Sequence, residues 1–229
     1  MNSKLLTIIP ARGGSKRIPK KNIKNFLGME IIGYPIKAAL QAKVCDDVIV
    51  STDSYDIQSV ALKYGASVPF TRSDKNSDDF ATTFDVIKEV LDKVREDYEF
   101  VCCIYPTSVF VTAEMIQEAL RLLKDDKNAT SIASVLQYSH PIQRSLSVKS
   151  SYLQSNHPEF YNSRSQDLEP NFHDAGQFYI FKADAVLDEK RLITKNCIPF
   201  LLDGNKAQDI DTIEDWEIAE IIYKHMVGK

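Results

Sequence analysis

The chain lacks most of the landmarks that place a protein of its size quickly. No apolar run approaches the roughly 20 residues of a membrane span. The N-terminus enters an apolar strand pattern almost at once, without the apolar segment and small-residue cleavage site of a signal peptide, so a cytoplasmic protein is expected. The four cysteines, Cys45, Cys102, Cys103 and Cys197, form no CxxC pair, and no His/Cys cluster has zinc spacing. Reduced, mostly buried thiols are expected rather than disulfides or a zinc site. Nothing resembles a Ser/His/Asp triad. His173 and Asp174 are adjacent, and neighbours on an extended chain point apart, which argues against an acid–base relay between them. A cationic excess is also missing: 28 Lys and Arg against 32 Asp and Glu leave a net charge of −4, which argues against a broad nucleic-acid-binding face. There are no internal repeats and no low-complexity tracts.

What is present is a 229-residue chain, 44% hydrophobic and 26% charged, sized for one large α/β domain or one domain with a small appendage. Short apolar runs predict strands at Leu5–Ile9, Asp47–Ser51, Phe100–Tyr105, Ser131–Leu136, Gln177–Phe181 and Pro199–Leu202. Several are apolar on consecutive positions, the pattern of strands covered on both faces. Between them, Phe80, Phe84, Ile87, Leu91 and Val94 share one helical stripe, and Met115, Ile116, Ala119, Leu120 and Leu123 another. A last helix is expected with Thr212 as its cap, Asp215 three residues on, and Trp216, Ala219, Ile222, Tyr223 and Met226 inward. This alternation predicts a mainly parallel sheet between helical layers, with ligands at the carboxyl ends of the strands. Residues 137–175 break the rhythm: they are polar and carry Pro141, Pro158 and Pro170. A connection this long is either functional or an extension that packs on a partner.

The cations that the chain does have are concentrated. Six fall within thirteen residues, Arg12 to Lys24, with no acid among them. They follow the first strand through the pair Gly13-Gly14, whose lack of Cβ lets the backbone turn tightly and approach a ligand. Open N–H groups plus compensating charge suit a polyphosphate. The spacing is neither GxxxxGK[ST] nor GxGxxG, so the P-loop and dinucleotide readings fail. Near the other end stand Asp209 and Asp211. On an extended chain residues two apart face the same way, and two carboxylates plus phosphate and water oxygens suit Mg²⁺. Helix capping is the competing explanation; Thr212 is the better cap by spacing, which leaves Asp211 for a metal. Ser51-Thr52-Asp53, after the second core strand, reads as a turn and cap for the next helix, with a nucleotide contact as the alternative.

With these residues in view, the chain resembles the acylneuraminate cytidylyltransferase family, which loads nonulosonic acids onto CMP. The resemblance is carried by Ile8 to Asn22, then Val50-Ser51-Thr52-Asp53, Arg72, Ala81-Thr82-Thr83, Pro106-Thr107-Ser108, Asn196-Cys197 and Asp209-Ile210-Asp211-Thr212. Within the family it is most similar to the members that act on pseudaminic acid, through His140-Pro141-Ile142-Gln143-Arg144, Arg164 to Glu169, and His173 to Tyr179. It departs from the N-acetylneuraminate pattern at Tyr105, at Val109-Phe110-Val111 and at Ala175-Gly176-Gln177-Phe178-Tyr179, positions at or near the sugar side.

The resemblance implies a three-layer α/β/α nucleotidyltransferase fold, Rossmann-like, spanning 1–229, and a homodimer whose interface uses the 137–175 extension. It implies attack of a sugar's anomeric hydroxyl on the α-phosphorus of CTP, with pyrophosphate leaving. Ala11, Arg12, Gly13, Gly14, Ser15, Lys16 and Lys21 would hold the phosphates, and Asn22, Arg72 and Thr83 the cytosine and ribose. Lys16, Arg12 and Asp211 would carry catalysis. Mg²⁺ would sit on Asp209 and Asp211. Arg144 or Arg164 would meet the sugar carboxylate, with a dimer-interface salt bridge as the alternative for both. Gln166, Tyr105 and Gln177 would meet its hydroxyl or acylamino groups. Neither nucleic acid nor membrane is an expected partner.

Overall fold

The described residues of this computed structural model, 3–204 and 207–228, follow the expected alternation of strand and helix. In chain order the elements are β1 (Leu5–Pro10), β2 (Asn25–Phe26), β3 (Met29–Glu30), α1 (Gly33–Ala42), β4 (Asp47–Ser51), α2 (Tyr55–Lys63), α3 (Thr83–Lys93), β5 (Phe100–Ile104), α4 (Ala113–Asp125), β6 (Ser131–Gln137), β7 (Leu146–Lys149), β8 (Tyr152–Ser155), β9 (Phe172–Lys182), α5 (Ala183–Glu189), β10 (Cys197–Leu201) and α6 (Ile213–Met226). Six strands form one sheet in the order β10-β6-β9-β5-β1-β4. β1 runs parallel to β4 and β5, and β6 runs parallel to β10. β9 alone is antiparallel, inserted between β5 and β6.

The consecutive apolar residues of the central strands divide between two faces. Leu5, Ile9, Val50, Cys102, Ile104, Phe178 and Ile180 pack with Ile36 and Ala39 of α1, Ile57 of α2 and Ile116 and Leu123 of α4. Leu6, Ile8, Ile49, Val101, Cys103, Tyr179 and Phe181 pack on the other face with Ile87 and Val90 of α3 and Val186 of α5. A three-layer α/β/α arrangement follows from strands buried on both sides. Cys102 and Cys103 lie in opposite layers, and all four cysteines are free thiols. Among the described residues no helix is long and apolar enough to cross a membrane.

Two boundaries differ from expectation. β9 begins at Phe172 rather than near Gln177, because its polar first half continues the ladder with β6 beyond a register shift between Ala133 and Val135. Backbone pairing there does not need apolar side chains, so hydropathy does not mark it. Helix α3 begins at Thr83, closed by a capping box of Thr82 and Asp85. Phe80 therefore lies outside the helical stripe and is 89% exposed.

A smaller apolar cluster matters more for function than its size indicates. Ile18 from the cationic segment, Phe26 and Ile31 around the β2–β3 hairpin, Val109 and Phe110 after β5, and Ile210, Trp216 and Ala219 at the C-terminal end bury one another. It ties the cationic loop to the acidic segment before α6, nearly 200 residues away. Thr212 caps α6 with Asp215, as the spacing predicts. Ile18→Ala is expected to cost about 2–5 kcal/mol, the range for deleting a fully buried isoleucine, read as a lowered urea midpoint.

Residues 138–171 leave the sheet. They form the separate β7–β8 hairpin and short 3-10 turns, with Val148, Tyr152, Leu153 and Tyr161 all more than two-thirds exposed.

Candidate active site

β1 delivers the chain to the carboxyl edge of the sheet. Ala11 N donates to the Ser51 carbonyl at 2.9 Å, and the glycine loop then turns over the end of β4. Position 13 is tight, since a Cβ there would stand 3.0 Å from Ser54 Cβ. The N–H of Gly13 donates to Asp53 Oδ1 at 2.8 Å, and that of Ser15 to the Gly13 carbonyl at 3.0 Å. Both donors are thus committed inside the protein. The expectation that Ser51-Thr52-Asp53 caps the next helix is corrected: Ser54 caps α2, Asp53 holds the glycine loop, and Ser51 accepts from Arg72 Nε at 3.0 Å.

The loop cations find counter-charges far away in sequence. Arg12 Nη1 donates to Asp79 Oδ1 at 2.8 Å, and Lys16 Nζ contacts Asp79 Oδ2. Arg17 and Lys21 reach Asp211 Oδ1 at 2.8 and 3.1 Å, and Lys20 reaches Asp56 at 2.8 Å. Lys21, mostly buried, also donates to the Ile210 carbonyl at 2.6 Å and so staples the two ends of the chain together. Lys16 remains 76% exposed.

The acidic segment shows the predicted alternation. Ile210 is fully buried, while Asp209 is exposed and Asp211 partly so. Loss of hydration where Asp209 lies against the chain, and then repulsion from Asp211, raise the Asp209 pKa; Lys21 opposes the shift. Asp211 is not the cap: Thr212 and Asp215 close α6 between themselves.

Three adjoining cavities organise the remaining residues. One, about 430 Å³, is lined by Arg12, Ser15, Lys16, Arg17, Lys21, Asn22, Asp79 and Asp211, so Lys16 and Asp211 share a cleft. Asn22 donates from Nδ2 to the Arg12 carbonyl at 2.9 Å, and among the described residues its buried Oδ1 has no partner. A second, about 220 Å³, holds Arg12, Arg72, Asp79, Thr83 and Tyr105. Arg72 is buried, and desolvation lowers its pKa to about 10, partly offset by Asp53 and Glu89; it remains cationic at neutral pH. A third, about 420 Å³, meets the second at Thr82, Thr83 and Tyr105 and adds Asp174, Tyr179, Lys190, Arg191 and Ile193. Tyr105 and Thr83 hydroxyls are 3.0 Å apart at that boundary. Tyr179 donates to Asp174 at 2.6 Å, and burial, then Tyr105 and Asp174, hold its phenol protonated above the usual range. A larger cavity, about 620 Å³, lies by α1, α4 and α6 and contains no residue of the cationic loop.

Several expected sugar contacts fall elsewhere. Gln177 is 1% exposed and lines none of the three cavities; its Nε2 donates to the Ala175 and Gln208 carbonyls at 3.2 Å, bracing the segment before Asp209, while its buried Oε1 has no partner among the described residues. Arg164 pairs with Asp167 at 2.6 Å, and Arg144 donates to Ser165 at 3.2 Å. Gln166 lines a separate cavity in the 138–171 region. Asp79 had no signal in spacing, since its partners Arg12 and Lys16 are brought to it only by the fold.

Glu89 fixes the approach to Arg72 and Asp79. It is buried and accepts from Ser73 N at 3.0 Å, Asn76 at 2.7 Å and Lys93 at 2.6 Å. Burial pushes its pKa up, but the hydrogen bonds from Lys93, Asn76 and Ser73 outweigh it and bring it to about 2. A depressed carboxylate contributes stability above its unfolded pKa, near 4.5, and loses it as pH falls toward 2. The difference is worth about 3 kcal/mol at neutral pH. Glu89→Gln is expected to flatten the acid limb of stability between those pH values, as read by denaturant melts across pH.

The chain matches the cytidylyltransferase family over residues 6–222. A protein of Campylobacter jejuni subsp. jejuni serotype O:2 named pseudaminic acid cytidylyltransferase is 40% identical over 230 residues, spanning 96% of this chain and 97% of its own. A Legionella pneumophila protein named CMP-N,N'-diacetyllegionaminic acid synthase is 34% identical over 231 residues, spanning 95% of each. Among solved structures, a CMP:2-keto-3-deoxy-manno-octonic acid synthetase complexed with CTP shares the fold at a TM-score of 0.74 and 18% identity, covering 98% of this chain and 100% of that one.

Proposed function

The chain belongs to the cytidylyltransferase family and is a nucleotidyltransferase, and we propose that it transfers CMP from CTP to the anomeric hydroxyl of a nonulosonic acid, pseudaminic acid first among them. The observation that carries this reading is that Lys16 and Asp211, from opposite ends of the chain, line one cavity that adjoins the Arg72–Thr83 cavity through Arg12 and Asp79. The preference for pseudaminic acid rests on the 40% identical relative of that name and on the His140–Arg144, Arg164–Glu169 and His173–Tyr179 segments. The 34% identical legionaminate enzyme makes CMP-legionaminate the second reading.

Cytosine and ribose are assigned to the cavity of Arg72 and Thr83, and the triphosphate to the cavity of the Arg12–Lys21 segment, where Asn22 with its unpartnered Oδ1 stands toward the nucleoside end of the ligand. Asp209 and Asp211 are near enough to repel each other, and Asp211 lines the cleft, so the pair suits a hard cation whose remaining donors would be phosphate and water oxygens. Mg²⁺ held there would add charge opposite the leaving pyrophosphate and lower the pKa of the attacking hydroxyl. The protein's own contribution is positioning and fixed charge. Lys16 and Arg12 neutralise charge on the α-phosphoryl and departing oxygens. Lys21 holds Asp211 and the loop in register.

The sugar is assigned to the third cavity, which meets the nucleotide cavity at Tyr105 and Thr83. Arg144, Arg164 and Gln166 line none of the three cavities. They would contribute only if a homodimer brought the partner's extension to the cleft. Such a dimer would also cover the exposed Val148, Tyr152, Leu153 and Tyr161. Incubation with CTP, Mg²⁺ and a panel of nonulosonic acids, read by product mass, tests the reading. CMP-pseudaminate is the expected dominant product, and absence of any CMP-sugar refutes it.

A further inference from the structure

The first two cavities share two residues, Arg12 and Asp79. Their ion pair is therefore the partition between the space beside Arg72 and the space beside Lys21 and Asp211. A nucleoside triphosphate with its base in one and its phosphates in the other would have to pass this pair and compete with Asp79 for Arg12. We propose that Asp79 is a displaceable plug, a carboxylate that occupies the phosphate-binding cations of the free protein and gives both up to the incoming polyphosphate. This inference rests on the nucleotide reading above.

The contacts imitate a ligand. One Asp79 oxygen takes Arg12 at 2.8 Å and the other takes Lys16, while the Asp78 carbonyl accepts from the same Arg12 nitrogen at 2.8 Å. Lys16 first and then Arg12 hold the Asp79 carboxyl below its usual pKa, as two cations around one carboxylate must. The clasp is also easy to release. The Asp79, Arg12 and Lys16 side chains are all more than a third exposed, and exposed ion pairs are weak. A polyphosphate brings several charges to the same cations and forms stronger charge-assisted bonds. Inorganic phosphate brings fewer, so the plug also discriminates by ligand charge.

The segment that carries Asp79 is built to pivot. At one end Glu89 holds Ser73 and Asn76; at the other the Thr82–Asp85 capping box starts α3. Between these anchors, Asp78 Oδ1 accepts from Phe80 N and Ala81 N at 2.8 Å and keeps the tip as a unit. Phe80 at that tip is almost wholly exposed, so no apolar packing resists its movement.

The test is titration calorimetry in EDTA with sodium tripolyphosphate, inorganic phosphate and CTP against wild type, Asp79→Asn and Asp79→Glu. Asp79→Asn is expected to bind tripolyphosphate and CTP about tenfold more tightly, the effect of about 1.4 kcal/mol. It should also gain measurable affinity for inorganic phosphate, and Asp79→Glu should restore wild-type discrimination. If wild type binds CTP but Asp79→Asn binds tripolyphosphate equally or more weakly, the plug is refuted and the nucleotide reading stands. If no protein binds CTP or tripolyphosphate, both fall. Phe80→Trp in the otherwise native chain gives a second readout: its emission should shift saturably with tripolyphosphate, and an unchanged spectrum at saturation would overturn displacement.

Discussion

Lys16→Met is expected to lower kcat by roughly 10²–10³-fold, the usual loss when one donor to developing charge is removed. The thermal midpoint should barely move. Lys16 is 76% exposed, and its partner among the described residues, Asp79, is itself at the surface and paired with Arg12. An ion pair of that kind contributes little to folding. The variant thus separates chemistry from stability more cleanly than Arg12 would, since Arg12 also carries the Asp78 carbonyl and the Asn22 contact through its own carbonyl. Pyrophosphate release at saturating CTP and sugar is the measurement. Turnover near that of wild type would remove Lys16 from the mechanism.

Asp211→Ala is expected to abolish Mg²⁺-dependent turnover, a loss on the order of 10³-fold or more if the metal stabilises the departing charge. The same substitution leaves Arg17 and Lys21 without their carboxylate, although Lys21 keeps the Ile210 carbonyl. Two cations lining that cavity then lose their nearest carboxylate, with only the more distant Asp209 and Asp215 left to oppose them. CTP binding in EDTA should therefore be retained or strengthened while activity with Mg²⁺ is lost. Loss of CTP binding in EDTA would show that the substitution disturbs the cleft as a whole, and an unchanged Mg²⁺ titration would move the metal away from this carboxylate. α6 should persist in either case, because Thr212 and Asp215 form its cap without Asp211.

The sheet could be read closely from the sequence because its strands carry apolar residues on both faces. β1, β4, β5, β6 and β10 lie within about two residues of their predicted limits, and the C-terminal helix has the predicted cap. β9 was legible only in its apolar half. Its polar half pairs through backbone atoms, which leave no side-chain signature, and the strand's antiparallel direction is a property of connectivity. At the site, the Asp209–Ile210–Asp211 alternation was visible because a single buried residue between two carboxylates is a local pattern. The pairing of the cationic loop was not. Asp53, Asp79 and Asp211 lie 40, 63 and 190 residues from the groups they meet at Gly13, Lys16 and Lys21. An acid-free stretch of sequence looked short of counter-charge, and the fold supplies it from three other segments. Gln177 shows a different gap: its burial and its Nε2 bond to the Gln208 carbonyl, 31 residues on, leave no mark in the sequence.

A structure of the protein with CTP and Mg²⁺ puts the account at greatest risk. The prediction is a triphosphate lying through the cleft, with oxygens at hydrogen-bond distance, about 3 Å, from Lys16 Nζ and Arg12, and a cation between those phosphates and the Asp209 and Asp211 carboxylates. A triphosphate seated away from Lys16, or a cation held by other groups while Asp211 stays on Arg17 and Lys21, would contradict it.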